Sequence, residues 1–105
     1  MEKSELINSM LVYLHLDDDE ETQQELSAVV EGAIATTINA INSSLTYDDL
    51  KNDAQFIMAL RTLITQTYYD RELSNGYSFG YLSFIAPLKA KYDKGVVDGA
   101  KPNQV

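Results

Sequence analysis

The segment Leu14–Leu26, LHLDDDEETQQEL, sets the chain's single histidine, His15, just before Asp17, Asp18, Asp19, Glu20 and Glu21. An imidazole beside carboxylates is the donor set of a divalent-cation site, or of a general base oriented by an acid. Neither reading completes itself. A calcium-loop template placed from Asp17 finds acids at its first, third and fifth positions. It then meets Thr22 where the sharp turn needs glycine, and Ala28 where a bidentate glutamate must close the shell. No second histidine and no cysteine is present to extend a site built on His15. The run is better read as the solvated start of a helix, with Asp17 or Asp18 as cap, where negative charge meets free N–H groups and the positive end of the helix dipole. His15 is expected at the surface or its boundary, with no metal site and no cofactor.

Other chemistry is equally sparse. There is no Gly-x-Ser-x-Gly, no phosphate-binding glycine loop and no dinucleotide fingerprint, so an enzyme is not expected. What stands out is a concentration of aromatic side chains: Tyr68, Tyr69, Tyr77, Phe79, Tyr81, Phe84 and Tyr92 are seven of the chain's ten. Tyrosine offers contact area with a polar tip, so these residues either close a core around the last element or meet a partner. Arg61 and Arg71, ten residues apart, each pair with an acid in their own helix or across an interface.

These residues must be carried by helices. Leu6, Ile7, Met10, Leu11 and Leu14 recur at helical spacing, giving a short first helix with Ser4 as N-cap that ends near His15 and Leu16. Leu26, Val29, Val30, Ala33, Ile34, Ile38 and Ile41 define a long second helix over about 19–42. The segment INSSLTYDDLKND has the Asn, Ser and Asp density of a loop, with Leu45, Tyr47 and Leu50 as anchors. A third helix is expected from near Asp53 to about Glu72. Its apolar positions, Phe56, Ile57, Leu60, Leu63, Ile64, Thr67 and Tyr68, wrap more than one stripe, which makes it central. LSNGYSFG is read as a loop, because its flanks lack the alternation of a hairpin. A fourth helix follows with Leu82, Ile85 and Leu88 on one face and Pro87 inside it. The expected fold is all-α: a small bundle of about four helices over 1–92, with an extended, flexible tail over 93–105.

A chain of 105 residues fits one domain, and 45% hydrophobic residues fit a globular one. No run is long and apolar enough to span a bilayer, and the opening MEKSELINSMLVYL lacks the pattern of a signal peptide, so a soluble, unprocessed protein is expected. Charge is uneven. Residues 1–53 carry twelve acidic residues against Lys3 and Lys51, and residues 54–105 carry four against six basic ones. Such a surface repels nucleic acid and suits association between identical copies, acidic half to basic half.

The order of these features resembles the phage head-tail connector (adaptor) proteins of the gp6-like family, over about residues 4–92. The resemblance rests on VYLHLDDDEET leading into ELSAVVEGAIATTINAI, then DAQFIMALRTLITQTYYDREL, then the close SFGYLSFIAPLKAKY. Two departures are visible: the loop after the second helix lacks the usual glycine-arginine turn, and Tyr68-Tyr69 stands where tryptophan is common. The resemblance implies a structural virion protein. It would form a cyclic homo-oligomer, near dodecameric, at the head-tail interface between the portal protein and a tail-completion or stopper protein. DNA would pass through the lumen without specific binding, and no membrane would be involved. Candidate interface residues are Asp17, Asp18, Asp19, Arg61, Tyr69, Arg71, Tyr77, Phe79, Lys89 and Lys91, and the tail is expected to order on the portal. The alternative is a small acidic regulatory protein or DNA mimic that binds one basic partner.

Overall fold

The structure, a computed structural model, describes residues 1–70, 73 and 76–93. Among the described residues five α-helices follow one another: α1 (Lys3–Tyr13), α2 (Glu20–Ile41), α3 (Tyr47–Leu50), α4 (Ala54–Tyr69) and α5 (Phe79–Lys91). The described residues contain no strand and no helix long and apolar enough to cross a membrane. Of the tail expected over 93–105, all but Asp93 lies outside the described residues.

Each helix start is set by a side chain that satisfies free backbone N–H groups. The cap of α1 is Glu2, not Ser4: the Glu5 carboxylate reaches back to accept from the Glu2 N–H at 2.8 Å, which draws Ser4 into the first turn. The cap of α2 is Asp19, not Asp17 or Asp18. Its backbone is extended, and its Oδ1 accepts from the Thr22 N–H at 2.7 Å. Inside the expected loop, Thr46 and Asp49 form a capping box that opens the single turn α3 and drives Tyr47 and Leu50 into the core. The anchors were correctly placed, but the segment between them is helical. Asp53 caps α4 by accepting from the Gln55 and Phe56 N–H groups at 2.9 and 3.3 Å.

The stop of α1 accounts for the lone histidine. His15 has φ 56°, in the left-handed region that glycine usually occupies after a helix. The Leu16 N–H donates to the Leu11 carbonyl at 2.9 Å, and the His15 N–H to the Val12 carbonyl at 3.1 Å. This crossed pair closes α1 and turns the chain into the acidic segment. Helix α4 stops at Tyr69, short of Glu72, as Asp70 leaves helical space.

The core collects Leu6 and Met10 from α1, Leu26, Val30 and Ile34 from α2, Phe56, Leu60 and Ile64 from α4, and Leu88 from α5. Helix α4 packs against both α2 and α5, as its wide apolar stripe implies. The inward face of α5 differs from expectation. Leu82 is 48% exposed, whereas Tyr81 is buried, because its hydroxyl shares a hydrogen bond of 2.9 Å with Thr37 Oγ1 of α2 inside the core. A buried hydroxyl must find a partner, and this pair satisfies both. Pro87 leaves α5 unbroken to Lys91.

Candidate interaction surface

Long-range contacts fix how the helices run. Lys3 at the start of α1 meets Glu31 midway along α2, so these two helices are antiparallel. Arg61 of α4 reaches Ser9 of α1, while Lys91 and Tyr92 at the end of α5 return to Asp53 at the start of α4. The start of α1, α3, the start of α4 and the end of α5 therefore gather at one end. The α1–α2 turn, the second half of α4 and the start of α5 gather at the other.

The first end is tightly bonded. The Asp53 carboxylate accepts from Lys91 Nζ at 2.8 Å and from the Tyr92 hydroxyl at 2.5 Å, in addition to its two backbone N–H groups. Burial alone would raise this carboxyl, but the four hydrogen bonds outweigh it and hold the group at about 2. The same contacts raise the Lys91 ammonium and the Tyr92 phenol. Asn42 Nδ2 donates to the Tyr92 carbonyl at 2.9 Å, which ties the end of α5 to the end of α2.

The second end carries the acidic run 17–21 and the exposed rings of Tyr13, Tyr69, Tyr77 and Phe79. Asp17, Asp18 and Asp19 are all exposed. Asp19 is committed to the α2 cap, and the Thr22 backbone N–H lowers its carboxyl. Asp18 accepts from the Gln23 side-chain amide. Nearby, the outward face of α4 forms a groove of about 380 Å³ bordered by Tyr13, Met58, Arg61, Thr62, Gln66 and Ser78. Tyr13 is 59% exposed and Met58 48%. Tyr69 extends the same face by one turn, 68% exposed and edge-on to Tyr68 with ring centroids 5.5 Å apart. At the start of α5, Phe79 is 87% exposed, and Tyr77 is partly exposed with its ring 5.3 Å from that of Tyr81.

The candidate residues thus divide. Arg61 and Tyr69 share the open face of α4, Tyr77 lines a separate depression with Val29 and Gly32 of α2, Phe79 is exposed at the start of α5, and Asp17, Asp18 and Asp19 stand exposed on the α1–α2 turn. Lys89 and Lys91 lie toward the far end, Lys91 engaged with Asp53. Arg71 lies outside the described residues. Tyr13, Met58 and Leu82 were missed, although the first two fall off the apolar stripe of their helices, and that was the available signal. Comparison with protein-family models, curated proteins and solved structures yields no match.

Proposed function

We propose that this chain is a structural assembly subunit of the head-tail connector type, a member of a closed ring seated between a portal ring and a tail-completion protein. The observation that carries the reading is the coexistence of two unlike exposed surfaces on one small bundle. One is apolar and aromatic, built from Tyr13, Met58, Tyr69 and Phe79, and the other is the acidic α1–α2 turn. A ring of identical subunits needs two different patches that complement each other, since a single self-complementary patch closes as a dimer. The resemblance in the order of sequence segments supplies the kind of ring. An acidic surface also suits a channel for DNA, because it offers no cation to neutralise phosphate.

Co-sedimentation with portal rings of the phage that encodes the chain tests the proposal, at low and high salt. Binding in a stoichiometry matched to the portal ring is the expected result, weakened by salt if charge guides docking. A tight one-to-one complex with a single basic protein, and no association with portal rings, would replace the connector with the acidic regulatory reading.

A further inference from the structure

The groove on α4 contains one charged side chain, Arg61. Its neighbours have spent their polar groups internally. Thr62 Oγ1 donates to the Met58 carbonyl at 2.9 Å, and Thr65 Oγ1 to the Arg61 carbonyl at 2.8 Å. Gln66 donates to the Gly76 carbonyl at 2.8 Å and accepts from the Ser78 N–H at 2.9 Å. Arg61 is different. One Nη donates to Ser9 Oγ at 3.3 Å, Nε is shielded from solvent with no acceptor, and among the described residues no carboxylate pairs with the guanidinium. Nε, shielded as it is, lies out of reach of an incoming group, so a carboxylate entering the groove would meet the Nη groups end-on.

That arginine goes without an acid in a chain that holds sixteen of them against eight Lys and Arg. Exposed acids stand on the turn after α1: Asp17 and Glu21 have no hydrogen bond or ion pair among the described residues, whereas Asp18 and Asp19 are engaged locally. We infer that the groove binds a carboxylate from the Asp17–Glu21 segment of a second copy of this chain, with Arg61 as the receiving cation and Tyr13 and Met58 as apolar walls. Donor and acceptor lie at the same end of the bundle, so two copies can exchange the contact reciprocally or pass it on from copy to copy, and the sedimentation series tells a dimer from a longer series. Closure into a ring rests on the connector reading, but the contact itself does not.

The test is self-association of the full chain without any portal. Sedimentation velocity over a concentration series is combined with nitrogen-15 NMR of the Arg61 Nε–H signal. Expected are reversible, salt-weakened association and a concentration-dependent shift of that signal. Arg61→Glu, and separately the pair Asp17→Lys with Glu21→Lys, should each weaken association about tenfold or more, and mixing the two variants should restore it. Arg61→Lys, which keeps charge but loses the fork, should fall between. Thermal melting checks that each variant is folded; should Arg61→Glu fail to fold, the acid-side pair, far from the core, decides the matter. A wild-type chain that stays monomeric with an unmoved Arg61 signal, or association indifferent to these substitutions, overturns the inference. Portal co-sedimentation separates the two claims. A monomer that binds portal rings sinks the groove contact alone, and a self-associating chain that ignores them sinks the connector alone.

Discussion

The two ends of the bundle solve the same problem, covering helix termini, in opposite ways. At the end built around Asp53, every element is bonded to another. The Met1 ammonium donates to the Lys51 carbonyl, the Tyr47 hydroxyl to the Met1 carbonyl, and Lys51 to Glu2, at 2.6, 2.7 and 2.7 Å. At the other end Gln66 of α4 ties the entry of α5, but the turn between α1 and α2 is closed locally. Asp19 serves only its own helix, His15 closes α1 by backbone geometry, and large apolar rings are left in water. An end that satisfies itself contributes stability. An end that satisfies only its backbone leaves its side chains for something else.

That contrast is sharpest at Asp53. Replacing it with Ala removes the α4 cap and strands Lys91 and Tyr92, so unfolding free energy should fall by about 3 kcal/mol. Urea denaturation at neutral pH measures this, with self-association unchanged per folded molecule. The wild type should show the same contact through acid. A carboxyl held at about 2 stabilises fully above its unfolded value near 3.8 and loses that contribution as pH falls toward 2. Roughly 2 kcal/mol should disappear between about pH 5 and 2, and the Asp53→Ala variant should lack that part of the decline.

The open end should respond in the other sense. His15→Gly relieves a left-handed backbone on a side chain, so the melting temperature should rise by an amount equivalent to about 1 kcal/mol or less. A lowered melting temperature would mean that the imidazole makes a contact beyond its backbone role. Phe79→Ser should alter stability least, by about 0.5 kcal/mol or less, because so little of the ring is covered. If the surface docks a partner, the same change should weaken portal binding or self-association. A large stability loss with unchanged binding would make Phe79 a structural residue and erase the distinction between the ends.

How far the sequence could be read follows the same division. Apolar spacing placed α2 and the central α4 because burial on a continuous face is what periodicity reports. It placed α5 with Leu88 and Ile85 inward but misassigned Leu82, since Tyr81 takes the inward position through a hydroxyl partner 44 residues away. Helix α3 was hidden by loop-like composition, although Thr46 and Asp49 already stood at capping-box spacing. For the surface, the acidic turn, Arg61 and the exposed rings were visible as residue types. The groove was not, because a helical face left open is defined by where the neighbouring helices do not go.

The bond between Thr37 and Tyr81 has a consequence for how the bundle is indexed. Replacing either partner alone strands a polar atom in the core, whereas replacing both with Val and Phe restores an apolar contact at little net cost. The pair therefore acts less as an anchor than as an address. A helix that slid by one turn along α2 would bury the Tyr81 hydroxyl away from Thr37. By penalising that misalignment, two oxygen atoms select the position at which α5 presents Phe79 to the outside.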